Sequence, residues 1–252
     1  MIPKAIATRY VAPLREGGSL PGLVEAEDLG TYVMKFRGAG QGLKALVAEV
    51  IVGELGRRLG LRVPEMKALF LSAEIGRYEA DQEVQDLLTA SIGLNLGVDF
   101  LPGSFGYDGV SFKPPAEEAA RILWLDAFTV NIDRSWRNPN LLVWHRKLWC
   151  IDHGAALYFH HNWEGASAER FAARAYDYGD HILTGVAHAA VPEVFGHLSG
   201  KVTEGVLREV LDLVPDKWLE PAPGREQPEA VRELYLEFLL ARLASAPVWL
   251  PK

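Results

Sequence analysis

The chain predicts an α+β fold of two lobes, the first rich in strands and the second mainly helical. Segments of β-forming residues bounded by turn residues crowd the first 100 positions, whereas helical apolar stripes dominate after Pro114-Pro115. Between them Leu101-Pro102-Gly103-Ser104 breaks both patterns. The expected division is therefore residues 1–101 and residues 102–252, with a cleft between the two.

Each element has its own justification. Ala5 to Val11 reads as a strand, followed by a turn-rich loop at Arg15-Glu16-Gly17-Gly18-Ser19 and Pro21-Gly22. Thr31 to Phe36 is β-rich and closed off by Gly38 and Gly40. From Gly42 to Leu59 the apolar residues Leu43, Leu46, Val47, Val50, Ile51 and Leu55 cover one broad helical face. Gly60 and Pro64 supply its stop. Glu65 to Leu71 and Ile92 to Phe100 read as strands around a short polar helical insert. Ala116 to Val130 carries a helical stripe, and Leu141 to Trp144 with Lys147 to Ile151 form a two-stranded ribbon. Helices near Thr203 to Leu213 and Gln227 to Leu243 finish the chain.

Composition narrows the class. The chain has 252 residues, 49% of them hydrophobic, enough to bury a substantial core. No apolar run reaches the roughly 20 residues needed to span a bilayer, and Met1-Ile2-Pro3-Lys4-Ala5 lacks the apolar core of a signal peptide. Cys150 is the single cysteine, which excludes an internal disulfide and a Cys-rich zinc site. A cytoplasmic protein without membrane partners is the expectation. The net charge of −7 argues against a generally basic nucleic-acid surface. An anionic ligand would need a local concentration of positive charge, for which Arg134, Arg137 and Lys35 are the candidates.

The most informative stretch is Asn131-Ile132-Asp133-Arg134-Ser135-Trp136-Arg137-Asn138-Pro139-Asn140-Leu141-Leu142, followed after the ribbon by Ile151-Asp152-His153-Gly154. It sets an aspartate, an asparagine five positions on, and a second aspartate after one hairpin. Phosphoryl transfer needs a nucleotide held in place, Mg²⁺ on its phosphates and a group that orients the attacking hydroxyl, and this is the order in which such sites present those groups. Asp133 is the candidate base, and Asn138 and Asp152 offer the oxygen donors that Mg²⁺ prefers. Read backwards from Asn-Leu-Leu, the metal-binding amide is instead Asn140; the forward reading, Asn138, is preferred. Lys35, inside an apolar strand, needs a phosphate or carboxylate partner, because an isolated buried charge is costly. Glu49 and Glu54 on the next helix lie about 140° apart around its axis, so only one of them can face it. Gly17-Gly18-Ser19 can bring backbone N–H groups close to phosphates, or can be a plain hairpin loop. No Gly-x-Gly-x-x-Gly or Walker pattern occurs.

These motifs resemble the HipA-like kinases, whose fold is a divergent protein-kinase fold. The likeness extends to Tyr32-Val33-Met34-Lys35-Phe36, to Leu46-Val47-Ala48-Glu49 with Leu59 to Pro64, and to Asp99-Phe100-Leu101-Pro102-Gly103. The blocks keep the family order over about residues 5 to 165. The resemblance implies ATP and Mg²⁺ as cofactors, Asp133 as the catalytic aspartate, and Asn138 and Asp152 as metal ligands. It implies that Lys35 contacts the nucleotide phosphates, that Glu49 pairs with it, and that the adenine-facing connection lies around Leu94, Asn95 and Leu96. The acceptor it implies is a Ser or Thr hydroxyl of a protein, with a small-molecule alcohol as the alternative.

Two other readings compete. One is a non-catalytic nucleotide-binding module on the same fold. The other is a metal-dependent hydrolase built on His145, His153, His160 and His161 with Asp152. Against it, His-Glu-x-x-His is absent, and adjacent strand residues such as His160 and His161 would face opposite ways. Trp136, inside the polar loop, is the tryptophan expected to touch a ligand.

Overall fold

A computed structural model describes residues 1–15, 20–77 and 79–250. Strands β1 (Lys4–Pro13), β2 (Gly22–Ala26), β3 (Thr31–Lys35), β4 (Met66–Leu71) and β5 (Gly93–Asp99) close into a barrel in the order β1-β2-β3-β5-β4. All neighbours are antiparallel except β1 with β4. Strand alternation sorts the side chains. Ala5, Ala7, Val24, Tyr32, Met34 and Leu69 fill the barrel. On its outer face Met66, Ala68, Leu96 and Val98 belong to a larger core shared with helix α1 (Gly42–Arg58).

Helix α1 is apolar on more than the single face the spacing indicates. Its residues from Leu46 to Val52 are all buried, because the barrel covers one side and the C-terminal helices the other. The polar insert is helix α2 (Gln82–Ala90), capped by the Asp81 carboxylate, which accepts the Glu83 N–H at 3.0 Å.

After β6 (Phe105–Gly106), helix α3 (Ala116–Thr129) leads into the ribbon of β7 (Leu141–Trp144) and β8 (Lys147–Cys150). β6 adds a third strand to this ribbon. Short helices α4 (Ala168–Ala172) and α5 (Thr184–Ala187) precede α6 (Val191–Lys201), α7 (Glu204–Leu211), α8 (Pro228–Ala244) and α9 (Ala246–Trp249). Besides the short β6, α4, α5 and α9, two further elements lie outside the sequence expectations. β2 is a short strand just after a Pro-Gly turn, and α6 is interrupted in sequence by Pro192, Gly196 and Gly200.

One continuous core joins α1 to α3, α7 and α8 across residue 101. At its centre Trp124 stacks on Phe128 with ring centroids 5.1 Å apart and meets Trp249 edge-on at 5.6 Å. Arg242 of α8 is also fully buried, without a carboxylate partner. It donates to carbonyl oxygens of Ala127 at 2.7 Å and Phe171 at 3.2 Å, joining α3 to the end of α4.

Truncating Trp124, which is 0% exposed, leaves a cavity that the stacked rings cannot fill. Trp124→Ala should lower unfolding stability by about 3–5 kcal/mol in urea denaturation. Val110→Ala, at a residue 80% exposed, should stay within about 0.5 kcal/mol. A Trp124→Ala loss no larger than that of the control contradicts the packing.

Candidate active site

Lys35 ends β3, on the face opposite Met34 and Tyr32, so its ammonium leaves the barrel toward α1. There it meets two carboxylates. It donates to Glu49 Oε1, and to Asp152 Oδ1 at 2.7 Å. The Glu49 side chain is 3% exposed and that of Asp152 48%. Glu54 instead lies beside Arg57 at 3.7 Å.

Glu49 carries more than one contact. Its Oε2 accepts the His153 N–H and its Oε1 the Gly154 N–H, both at 3.0 Å. A Cβ on residue 154 would lie 3.3 Å from Glu49 Oε1 and 3.4 Å from Ala45 Cβ, so a side chain there would press on Glu49 by a few tenths of an ångström. Asp152 has φ +55°, a left-handed conformation that costs a non-glycine residue energy and tends to mark functional loops.

The protonation pattern follows from these contacts. Burial works against the Lys35 ammonium, but Glu49 and then Asp152 outweigh it and its pKa rises. Burial raises Glu49, and the attraction of Lys35 offsets only part of that. For Asp152 burial also acts upward, yet Lys35 prevails and the carboxyl is held below its ordinary value. The Asp152 carboxylate is thus the ionised, accessible member of the trio. Its stabilising contribution is complete above about pH 4 and fades as the pH falls through the depressed value.

Asp133 lies beyond α3, in a loop held by its own side chains. Asn138 Nδ2 donates to Asp133 Oδ2 at 3.0 Å, and Asn140 Nδ2 donates to the same oxygen at 3.2 Å and to the Asp133 carbonyl at 3.0 Å. Asn140 is buried with φ +48°, whereas Asn138 is exposed.

Arg134 corrects an expectation. Composition offered it as a phosphate contact, but its side chain is 0% exposed and committed to the interior. Nε donates to Asp126 Oδ2 at 2.5 Å, Nη1 to the carbonyls of Asn140 and Ile151, and Nη2 to His153 Nδ1 at 3.3 Å. Burial opposes ionisation of Asp126, but Arg134 and His181 overcome it and hold the carboxyl well below its usual range. Because arginine can only donate, His153 Nδ1 is the acceptor and its proton sits on Nε2, which has no hydrogen-bond partner among the described residues. Burial and the guanidinium push His153 down to about pKa 3, so the ring is neutral.

Two connected hollows form the cleft. One of about 440 Å³ is lined largely by apolar groups, including Val33, Val63, Met66, Phe100, Leu101 and Ile151. The other, about 490 Å³, holds Asp133, Asn138 and Asn140. Lys35 and Asp152 line both. The structure therefore brings Lys35, Glu49, Asp133, Asn138 and Asp152 to one cleft.

Asn95 and Leu96 are not brought there. Both lie inside β5 and are 0% exposed. The Asn95 amide is spent on backbone, accepting Arg37 N–H at 2.9 Å and donating to Ser91 O at 2.8 Å, while Leu96 packs in the core shared with α1. The chain segment that lines the cleft is Asp99 to Leu101, at and beyond the end of β5. Gly17, Gly18 and Ser19 lie outside the described residues. Trp136 is 59% exposed and stacks with Arg137, whose guanidinium lies 4.2 Å from the ring centre, and neither lines these two hollows.

Sequence reasoning also missed Gly40 and Gln41, which line the polar hollow at the start of α1. The first turn of that helix carries no acidic residue, so its N-terminal dipole faces the hollow unopposed. The signal was present in Gly38-Ala39-Gly40-Gln41-Gly42, a glycine-rich run opening a helix. The histidine reading does not survive. His160 is buried against Tyr235 OH at 2.8 Å, His153 against Arg134, and His145 lies in the turn between β7 and β8. Among the described residues no group of three or more His, Cys, Asp or Glu side chains could hold a metal ion. No helix among them is long and apolar enough to cross a membrane.

Comparisons with known proteins bear on the fold and the family. A search of curated proteins found no match. The crystal structure of the Helicobacter pylori proinflammatory kinase CtkA is similar in fold, with TM-score 0.58 and 13% identity over 95% of each chain. The Golgi casein kinase with Mn/ADP bound has TM-score 0.50 and 12% identity, covering 96% of this chain and 74% of that one. The model of the HipA-like kinase family matches residues 8–251, nearly the whole sequence, and the chain belongs to that family.

Proposed function

We propose that this chain is an active phosphotransferase, using ATP and Mg²⁺ to phosphorylate a hydroxyl, a Ser or Thr of a protein. Residues 1–101 and 102–252 are read as the two lobes that close on the nucleotide, and the cytoplasm as its compartment. The observation that carries the proposal is Lys35, held between Glu49 and Asp152 in a cleft that also contains Asp133.

The apolar hollow suits a purine ring and the polar one a triphosphate. Lys35 steadies the phosphates, and Glu49 holds that lysine in place. The donor set fits a hard divalent cation: an ionised, half-exposed Asp152 and the amide oxygen of Asn138. When bound, the cation neutralises phosphate charge as the transfer proceeds. The structural neighbour solved with Mn and ADP supports a nucleotide and divalent metal here as well. Asp133 accepts the hydrogen bond, and then the proton, of the acceptor hydroxyl. The acceptor oxygen bonds to the γ-phosphorus while the bond to the bridging oxygen breaks, and that electron pair leaves on ADP. Asn140, buried and bonded twice to Asp133, fixes the carboxylate rather than the metal.

Asp133→Asn should lower phosphate transfer by about 10²–10⁴-fold while Mg-ATP still raises the melting temperature as it does for wild type. Turnover at the wild-type rate removes Asp133 from its role. A wild-type protein stabilised by Mg-ATP that never releases or transfers the γ-phosphate is a binding module instead.

Asn138→Ala should raise the Mg²⁺ concentration for half-maximal activity. Asn140→Ala should chiefly lower kcat. A reversal of the two phenotypes, read from Mg²⁺ titrations, assigns the metal to Asn140.

A further inference from the structure

We infer that Arg134 is a positioning residue that sets the separation between Asp133 and Asp152, an inference that rests on the kinase reading above. One guanidinium joins three stretches of chain. Its own backbone directly follows Asp133. Its Nη1 donates to the carbonyl of Asn140, which precedes β7, and to that of Ile151 at 3.5 Å, which precedes Asp152. The ribbon therefore has both feet tied to the loop that carries Asp133. The feet also bond each other, since Ile151 N–H donates to the same Asn140 oxygen at 3.1 Å. Through Nη2 the guanidinium reaches His153, the residue after Asp152.

The tie is referenced to a rigid element. Asp126, on α3, takes Nε at 2.5 Å, Asn131 Nδ2 at 2.9 Å and His181 Nε2 at 3.0 Å. His181 Nδ1 accepts the Leu183 N–H at 3.1 Å, so its proton is on Nε2 and points at Asp126. Asn131 in turn accepts the Asp133 N–H at 3.2 Å. Asp126, Asn131 and Arg134 are all at most 1% exposed, so water does not substitute for these bonds. Arg134 does not line the hollow that holds Asp133 and Asp152, and it acts through geometry alone. Lysine keeps the charge but not the planar fork of donors that spans these partners.

The test is Arg134→Lys, with folding followed by circular dichroism and thermal melting. A displacement of about 1 Å costs about 100-fold in rate. The expected result is a folded protein whose kcat falls about 100-fold and whose Mg²⁺ half-saturation rises about tenfold. At saturating Mg²⁺ its KM for ATP should stay within about threefold, because the Lys35–Glu49 pair and the apolar hollow are untouched. A folded variant with wild-type kcat and Mg²⁺ response overturns the inference. So does a loss of activity that merely tracks the unfolded fraction. Should Arg134→Lys fail to fold, Asp126→Asn keeps an acceptor oxygen but removes the counter-charge. It should show the same split at smaller amplitude, and wild-type kcat in it overturns the inference. If wild-type protein shows no turnover, the kinase reading fails separately, and Mn²⁺ titration in the presence of ADP becomes the readout. Affinity for Mn²⁺ unchanged by Arg134→Lys then overturns the positioning role.

Discussion

The ammonium of Lys35, on a side chain 17% exposed, sits at the wall of the cleft between one carboxylate from α1 and another from the loop after β8. A charge in that position needs partners, and breaking such a pair costs about 3–5 kcal/mol, because the remaining charge is left uncompensated. An exposed pair such as Arg9 with Glu25, with side chains 64% and 41% exposed, contributes little, because solvent and salt screen it. The Lys35–Glu49 pair, with the half-exposed Asp152 carboxylate at its open edge, therefore fixes where the barrel, α1 and the segment at Asp152 meet. Glu49 tightens the junction by accepting two backbone N–H groups of that segment. The accessible Asp152 carboxylate is then left facing the cleft in ionised form.

A second buried charge organises the other side. Arg134 and Asp126 neutralise each other, and their remaining hydrogen-bonding capacity goes to the two loops that carry Asp133 and Asp152. Asn140 and Asp152, one at each foot of the ribbon, adopt left-handed backbone conformations. Single residues in that region cost about 1–3 kcal/mol each and persist only where neighbours over-determine them. Here the neighbours are identifiable: the Arg134 guanidinium at Asn140, and Lys35 at Asp152. The site is thus built from strained loops clamped by buried ions, standing on helices that share one apolar core.

Much of this was legible from local pattern. The loop from Asp133 to Asn140 and the segment from Asp152 to Gly154 are joined by one hairpin, so a short stretch of sequence carried most of the polar hollow. Lys35 stood out because a cation in an apolar strand demands a partner. The failures have physical causes too. The family resemblance implied Asn95 at the adenine-facing connection, yet its amide satisfies backbone groups around Ser91 and Arg37. Arg134 reads as a surface cation because arginine is seldom fully buried without a partner, and its partner Asp126 lies a helical turn upstream of any motif. The apolar hollow was illegible because Val33 and Met66 follow the same strand alternation as core residues, and Val63 sits among apolar residues before β4. Only closure of the barrel decides which of them face the cleft.

On the proposed reading, Asp152, Asn138, Lys35 and Asp133 converge on one nucleotide–metal complex. A crystal grown with Mn²⁺ and a non-hydrolysable ATP analogue, phased on the manganese anomalous signal, tests it most directly. A single strong anomalous peak is expected in the polar hollow, about 2.2 Å from an Asp152 carboxylate oxygen and from the Asn138 amide oxygen. Phosphate oxygens should lie within hydrogen-bonding distance of Lys35, and the terminal phosphate should face Asp133. A manganese peak away from Asp152, or a nucleotide whose phosphates point out of this cleft, would contradict it.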